Sequence, residues 1–389
     1  MLGIAIVGAG AIANAHVSAF LEHKDKCRIV AICDIYPEKA QEIVDTKKIE
    51  GAVAIKDYKE ALALDNVDAI AICSPPRVHS QVAIDALNAG KHVLVEKPMA
   101  TSLKECDDMI AAAKANNCIL SPVAQNRYKT PYYKVKQLLD SGETGATRHI
   151  MINSLWWRGQ SYYELWWRGT WENECGGCVS SHAVHHIDML NWYVGMPKSV
   201  TAVITNVGHY NSECEDLGIA ILEYENMLAQ LTVSLLSHED EQSVVIQTEK
   251  ARLSIPWNPA SSKALPNGFP TKDEQTLAAV QTSYDQLPPL KLEGHAAQIG
   301  NFLNAINKKE PLFIDANAGR QTLELIMAIY KSSVTKQPVT LPLAKNDTFY
   351  NLDTMVAAML RFYQKTKTVE NFSENVITIG SDVNKTVSS

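Results

Sequence analysis

The stretch that decides the fold is Ile4-Ala5-Ile6-Val7-Gly8-Ala9-Gly10-Ala11-Ile12-Ala13, near the start of the chain. The apolar run predicts a buried strand, and apolar residues at intervals of three to five from Ile12 onward predict a helix. Between them, Gly8 permits a tight turn and Gly10 lets the backbone approach a pyrophosphate. The free N–H groups of the helix start, at Ala11 and Ile12, suit an anion. The stretch therefore predicts a dinucleotide site.

An acidic residue at the expected distance strengthens this interpretation. The second apolar run, 28–33, ends at Asp34, about 20 residues after the glycine turn, where a carboxylate accepts hydrogen bonds from the adenosine ribose. Because a carboxylate there repels the 2′-phosphate of NADP, NAD is the predicted cofactor and NADP is disfavoured. The alternative is that Asp34 only caps the helix that begins near Pro37.

Strands and helices continue to alternate after Asp34. Residues 69–73, 92–95 and 119–123 read as buried parallel strands, and 80–89 and 103–115 as helices. This alternation predicts a doubly wound parallel sheet, a Rossmann domain over residues 1–123.

The turns after these strands are polar or proline-rich, and in such sheets ligands bind at the carboxyl ends of the strands. The turns are Ser74-Pro75-Pro76, Glu96-Lys97-Pro98 and Gln125-Asn126-Arg127. From them, Ser74, Pro75, Glu96, Lys97 and Gln125 are predicted to contact the cofactor, and Arg127 the substrate.

Several motifs, in their order along the chain, resemble the glucose–fructose oxidoreductase / inositol dehydrogenase (Gfo/Idh/MocA) family. They are Gly8-Ala9-Gly10, Ser74-Pro75-Pro76-Arg77-Val78-His79, Ala89-Gly90-Lys91-His92-Val93-Leu94-Val95-Glu96-Lys97-Pro98, and Gly176-Gly177 followed by His185-His186-Ile187-Asp188. The resemblance covers roughly residues 3–345. It implies a Rossmann domain, a C-terminal α/β domain with an open-faced, mainly antiparallel sheet, a nicotinamide cofactor, and a sugar, cyclitol or similar polyol as substrate.

The resemblance also implies roles for single residues. It places the catalytic lysine at Lys97 and the catalytic histidine at His185, and it adds His79 to the cofactor site. An ammonium near the reacting hydroxyl stabilises a developing alkoxide, and a neutral imidazole can take the hydroxyl proton. The family often has an aspartate one turn before the histidine, but this chain has Ser181 there. The orienting carboxylate is therefore missing, and His182 is predicted to compensate partly by bonding substrate.

Composition and charge exclude several classes of protein. The chain has 389 residues, 46% of them hydrophobic, and a net charge of −7, which argues against nucleic-acid or anionic-membrane binding. There is neither an apolar run of about 18 to 20 residues nor a signal-peptide pattern. Eight scattered cysteines do not form a disulfide framework, so a cytoplasmic protein with reduced thiols is expected.

The chain changes character in its second part. Candidate strands without intervening helices predict antiparallel pairing. They are 149–155, 200–205, 218–224, 229–235, 243–247 and 251–255. Residues 124–345 are predicted to form the substrate-binding domain, and 346–389 a C-terminal helix and tail packed on the body. By analogy with the family, the sheet is expected to mediate a homodimer or homotetramer.

Residues 155–171 contain five of the seven tryptophans, and Leu-Trp-Trp-Arg-Gly occurs twice. Tryptophan faces stack on sugars, and arginines bind carboxylates or phosphates. The predicted substrate contacts are Arg158, Tyr163, Trp167, Arg168, His182 and His185. The alternative is that these rings anchor the core or an interface, and about half are expected to be structural.

A second motif permits a competing interpretation. Cys175-x-x-Cys178 precedes three histidines, His182, His185 and His186, which would share one face of a continuous helix. This pattern could bind a metal or form a redox disulfide. No metal is predicted, because the glycine pair and helix match the family without one.

The predicted function is an NAD-dependent oxidoreductase that transfers hydride between nicotinamide and a secondary alcohol or ketone of a sugar, cyclitol or sugar derivative, including sugar nucleotides. One alternative is a glycoside hydrolase that oxidises the sugar ring transiently with tightly bound NAD. A second is a non-catalytic nucleotide-sensing regulator, although a pure sensor need not keep both Lys97 and His185.

Overall fold

The computed structural model describes residues 1–372, and its N-terminal part is built around a parallel sheet. The six strands are β1 (Leu2–Val7), β2 (Cys27–Cys33), β3 (Val53–Ile55), β4 (Ala69–Ile72), β5 (His92–Val95) and β6 (Leu120–Pro122). Their order is β3-β2-β1-β4-β5-β6, so the chain reverses direction across the sheet between β1 and β4. In a doubly wound fold this is where ligands bind, and the predicted Rossmann sheet is confirmed.

Five helices cover this sheet. They are α1 (Ala11–Leu21), α2 (Pro37–Lys47), α3 (Tyr58–Leu62), α4 (His79–Asn88) and α5 (Leu103–Ala115). Strands β1 and β4 are short apolar runs buried on both faces, as central parallel strands between helices must be, whereas the edge strand β3 is partly exposed.

The second sheet is mixed. The remaining strands are β7 (Thr147–Trp157), β8 (Ser199–Thr205), β9 (Leu217–Glu223), β10 (Leu228–Ser234), β11 (Leu236–Thr248), β12 (Arg252–Ile255), β13 (Ser262–Ala264), β14 (Pro270–Lys272) and β15 (Val339–Thr340). The sheet order is β12-β11-β7-β10-β9-β8-β15, and β13 and β14 form a separate hairpin. Within it only β7 and β10 pair in parallel, so the mainly antiparallel sheet is confirmed.

Eight further helices accompany this sheet. They are α6 (Thr130–Ser141), α7 (Trp171–Glu174), α8 (Cys178–Ser181), α9 (Val184–Val194), α10 (Glu274–Gln286), α11 (Gly294–Ile306), α12 (Ala316–Thr335) and α13 (Leu352–Ala358). Helix α12 packs against α9 and β8 but also against α5 and β6 of the first sheet. Helix α11 lies on α1, where Phe302 and Leu303 are fully buried. The late helices therefore tie the two sheets together.

The second sheet is covered on one face only. Along β9, Ala220 and Leu222 are buried, whereas Ile219 and Ile221 are about half exposed. Val203 of the neighbouring β8 is also exposed. The open-faced sheet that the resemblance implied is thus present within the described residues.

Two predicted helices differ from the structure. The C-terminal helix expected within 346–389 is limited to α13, and residues 373–389 of the predicted tail lie outside the described residues. The helix expected to run through the three histidines is broken at His182, which ends α8 before α9 begins. Among residues 1–372, no helix combines the length and apolar character needed to cross a bilayer.

Candidate active site

The glycine turn lies at the switch point between β1 and β4. Gly10 precedes α1, and no side chain caps the first turn of that helix. The Asp34 carboxylate accepts hydrogen bonds from Ala9 N at 2.7 Å and Tyr36 N at 2.9 Å, so it fixes the turn and lies beside it. Tyr36, not Asp34, is the N-cap of α2. A Cβ on Gly10 would meet nothing within 4 Å, so there is room for a diphosphate and these residues fit NAD.

The two glycines of this turn should respond differently to alanine. Gly8 has a φ of +102°, and a Cβ there would lie 2.7 Å from the Cys73 carbonyl, so Gly8→Ala should lower the melting temperature. Gly10→Ala should keep the melting temperature, because its Cβ enters open space. That space is where the diphosphate belongs, so we expect NAD affinity to fall about tenfold or more. Calorimetric titration with NAD checks this, and unchanged affinity of Gly10→Ala would refute the placement of the diphosphate.

The predicted cofactor residues that follow β4 and β6 have different environments. His79 is fully buried, and its ring nitrogens lie 2.9 Å from Pro98 O and 2.8 Å from Ser74 O. It therefore ties two turns together, and direct cofactor contact is not what its geometry favours. Ser74 Oγ and Gln125 Oε1 are buried without a hydrogen-bond partner among the described residues. Pro75 is the N-cap of a short 3-10 turn, Pro76–Val78, at the same edge.

Glu96 is a buried anion rather than an exposed ligand. Its carboxylate accepts hydrogen bonds from His16 Nε2 at 2.8 Å and from Lys97 N at 3.1 Å, and His295 Nε2 lies 3.6 Å away. Although burial opposes ionisation, the hydrogen bond from His16 and the nearby ring of His295 hold the pKa of Glu96 well below its usual range. His16 and His295 were not predicted to belong to the site. Through its contacts Glu96 anchors the turn that carries Lys97.

Lys97 and His185 line one small cavity, although Lys97 follows a strand of the first sheet and His185 lies on a helix that accompanies the second. Lys97 follows β5 in a turn with a cis Lys97–Pro98 bond, and His185 lies in the first turn of α9. Both line a cavity of about 20 Å³, together with Asn126 and Asp188. This volume holds a single water molecule, so it is the floor of the site and not the space for a sugar.

Burial and neighbouring charges lower the pKa values of both side chains. Burial lowers the pKa of Lys97, Glu96 opposes this shift, and Arg168 adds to it. Burial, followed by the charge of Lys97, lowers the pKa of His185 well below its usual value. His185 is therefore neutral at pH 7 and can accept a proton.

A chain of contacts holds the ammonium in place. Lys97 Nζ donates to Ser181 O at 3.0 Å, and Ser181 ends helix α8. The start of α8 is fixed by the buried Glu215 carboxylate, which accepts from Gly177 N and Val179 N, both at 3.0 Å. Burial raises the pKa of Glu215 to about 7. Glu215 was not predicted, since nothing in the sequence links it to a turn 38 residues earlier.

Ser181, which stands where the family often has aspartate, orients His182 and not His185. Its hydroxyl donates to Gly177 O at 2.6 Å and so accepts from His182 Nδ1 at 2.8 Å. This leaves Nε2 of the neutral His182 ring as an acceptor. His186 is fully buried with no partner for either ring nitrogen among the described residues, and burial lowers its pKa to about 4.

Arg127 is engaged elsewhere than predicted. It forms a buried two-point ion pair with Asp188, with N–O distances of 2.9 and 2.7 Å, and stacks over Trp192. Its guanidinium is thus committed to α9, the helix that carries His185. The geometry favours a positioning role over the predicted contact with substrate.

The aromatic stretch forms a wall that carries two arginines. Arg168 lies 4.2 Å from the ring centres of both Tyr162 and Trp167, and it donates to the buried Glu174 at 2.9 Å. Its Nε is buried with no partner within residues 1–372. Arg158 lies over Trp156 and Tyr162.

Three predicted or suspected members of this wall are core residues. Tyr163 and Trp171 are almost completely buried, and Trp156 is nearly so, whereas Trp157 and Trp166 are about half exposed. Tyr163 therefore packs beneath the wall, contrary to its predicted contact with substrate. The split agrees with the expectation that about half of these rings are structural.

The Cys-x-x-Cys motif lies in the core. Cys175 and Cys178 are both buried and unpaired, and Cys175 Sγ donates to Thr101 O at 3.1 Å. Burial raises the pKa of both thiols well above the usual value. Both are thus protonated and packed at neutral pH.

Family models match most of the chain. One described as "Oxidoreductase family, NAD-binding Rossmann fold" (GFO_IDH_MocA) matches residues 2–123. A second, described as "GFO/IDH/MocA C-terminal domain", matches residues 132–254.

Individual relatives agree with these matches. The chain is 26% identical over 345 residues to the uncharacterised oxidoreductase YrbE of Bacillus subtilis, covering 86% of this chain and 95% of that one. It is 30% identical over 225 residues to inositol 2-dehydrogenase of Burkholderia lata, covering 57% of this chain and 64% of that one. The structure of WlbA dehydrogenase from Bordetella pertussis, in complex with NADH and UDP-GlcNAcA, matches with a TM-score of 0.76 and 28% identity, covering 88% of this chain and 98% of WlbA.

Proposed function

The chain belongs to the Gfo/Idh/MocA family of NAD-binding oxidoreductases, and on that premise we propose that it oxidises a secondary hydroxyl of an anionic carbohydrate. The observation that carries the proposal is the shared cavity of Lys97 and His185. When NAD is bound, it supplies the hydride acceptor.

The two side chains have complementary tasks in this reaction. The Lys97 ammonium has three N–H donors, and one is used by Ser181 O, so the others can bind the reacting hydroxyl. That contact strengthens as negative charge develops on the oxygen. The neutral imidazole of His185 takes the hydroxyl proton, and in the reverse direction it returns the proton.

The charge of the wall supports an anionic substrate. The charges of Arg168 and Arg158 both lower the pKa of Lys97, and the buried Glu174 carboxylate accepts a hydrogen bond from Arg168. These three cations outnumber the two buried carboxylates, Glu96 and Glu174, and within residues 1–372 the Nε of Arg168 is a donor without an acceptor. A uronate carboxylate or the diphosphate of a sugar nucleotide would supply one. WlbA, crystallised with UDP-GlcNAcA, is a relative whose ligand has both groups.

A turnover panel tests the substrate class. Purified protein with NAD should form NADH faster with uronates and UDP-sugars than with neutral sugars or inositols. Arg158→Gln should lower kcat/KM for the anionic substrate about 10- to 100-fold, while the exposed control Arg148→Gln, whose partner is Glu249, should not. Better turnover of inositols than of any anion would refute the anionic class. Glycoside cleavage without NADH release would instead favour the hydrolase.

We also propose that the exposed face of the second sheet pairs with a second copy. Val203, Ile219 and Ile221 present aliphatic side chains that a monomer would leave in water. Light scattering should give a homodimer or homotetramer, and a monomer at micromolar concentration would refute this.

A further inference from the structure

After α13 the C-terminal segment runs from the second domain to the Rossmann domain. We call residues 364–371 the C-terminal strap. It is reached through two contacts with the second domain: Trp171 Nε1 donates to Leu360 O at 3.0 Å, and Phe362 N donates to Glu213 O at 3.1 Å. The strap therefore starts from a fixed point beside the aromatic wall.

The middle of the strap pairs with the loop that leads into the wall. Val369 N donates to Glu164 O at 2.7 Å, and Trp166 N donates to Val369 O at 3.0 Å, which makes a short parallel bridge at Leu165. The Asn211 side chain accepts from Thr366 N at 2.9 Å and donates to Lys367 O at 2.7 Å. These are backbone-directed bonds, so they fix the path of the strap and do not depend on a flexible side chain alone.

The far end of the strap contacts the Rossmann domain at the cofactor site. Glu370 Oε2 accepts from Tyr36 OH at 3.0 Å, and Asn371 Oδ1 accepts from Lys39 Nζ. Tyr36 lies two residues after Asp34, and its backbone N–H donates to the Asp34 carboxylate. The strap thus joins the substrate wall to the segment that carries the ribose-binding acid.

We propose that the C-terminal strap is part of the cofactor site and retains NAD between turnovers. Its bonds to Tyr36 and Lys39 hold the Asp34 segment against the second domain. In this proposal the adenosine end leaves when that segment moves away from the wall, and the strap opposes this movement. This inference rests on the NAD site and not on the identity of the substrate. Its failure can therefore be distinguished from a failure of the proposed function.

The test measures cofactor release directly. NADH is displaced from the full-length protein by excess NAD, and its fluorescence is followed by stopped flow. Removing the two side-chain contacts in the double variant Glu370→Ala/Asn371→Ala should raise the dissociation rate about fivefold. A stop after Phe362, which removes the whole strap, should raise it further and lower the fraction of NAD that copurifies.

Two matched controls test whether the contacts with Tyr36 and Lys39, and not other parts of the C-terminal segment, slow NADH release. Lys367→Ala removes a contact with Glu164 inside the second domain, and a stop after Phe372 removes only residues 373–389; both should release NADH within twofold of wild type. Should the truncation after Phe362 fail to fold, the double variant decides, because its side chains are exposed. Release from the double variant at the wild-type rate, with an unchanged melting temperature, would overturn the proposal.

Discussion

Lys97→Met is expected to lower kcat/KM for alcohol oxidation about 1,000-fold while NAD affinity changes little. The side chain is partly buried and lines the same small cavity as His185, and its hydrogen bond to Ser181 O holds the ammonium there. Methionine keeps the length and apolar stem but removes the ammonium that would bind the developing alkoxide, and loss of one such preorganised donor costs about 10²- to 10³-fold. Steady-state kinetics with the best substrate of the panel, and titration with NADH, measure the two effects.

The matched control is Lys104→Met on the first turn of α5. Lys104 is exposed and pairs with Asp108 four residues later, so this substitution should leave both kinetics and NADH affinity unchanged. If Lys97→Met kept more than a tenth of the wild-type kcat/KM, Lys97 would not be the group that stabilises the alkoxide.

The parts of the site that local sequence rules describe were predictable. The glycine turn, the acid at the end of β2 and the turn after β5 each follow a short apolar strand, and parallel strands bring such turns to one edge. Gly10 and Asp34 are therefore where spacing alone put them. The roles of Lys97 and His185 came instead from resemblance, because the two residues are 88 positions apart and no periodicity connects them.

Pairings between distant segments were not predictable. Arg127 was predicted to contact the substrate, yet its guanidinium pairs with Asp188, which lies 61 residues further along the chain. His79 looked like a cofactor ligand, yet it bonds two backbone carbonyls, one of them 19 residues away. Each buried polar group must find some partner, but the sequence does not say which one.

The histidine segment shows why helical spacing can mislead. His182, His185 and His186 have the spacing of one helix face, but α8 ends at Ser181 and α9 begins at Val184. The break turns His182 toward Trp156 and Tyr162, while His185 faces the cavity. Tertiary contacts hold the two helices separately, since Glu215 binds the start of α8 and Arg127 binds Asp188 of α9.

His185→Asn should lower kcat about 10²- to 10⁴-fold, the usual contribution of a positioned general base, and should leave NADH affinity intact. Asparagine fills similar space beside Val184 and Asp188 but cannot take a proton at neutral pH. His149→Asn on β7, away from this cavity, is the matched control and should be fully active. Solvent deuterium effects and pre-steady-state bursts show whether proton transfer has become limiting.

The pH dependence gives a second, independent check on the same residue. The base must be neutral, and burial together with Lys97 lowers the pKa of His185 well below its usual value. Wild-type kcat/KM should therefore stay level as the pH falls through 6.5, the ordinary value for histidine, and decline only in more acidic solution. Because part of the shift comes from the charge of Lys97, the residual activity of Lys97→Met should decline at a higher pH than the wild type. A wild-type acidic limb at or above pH 6.5, or one that Lys97→Met leaves unmoved, would contradict the pairing of the ammonium and the imidazole in one site.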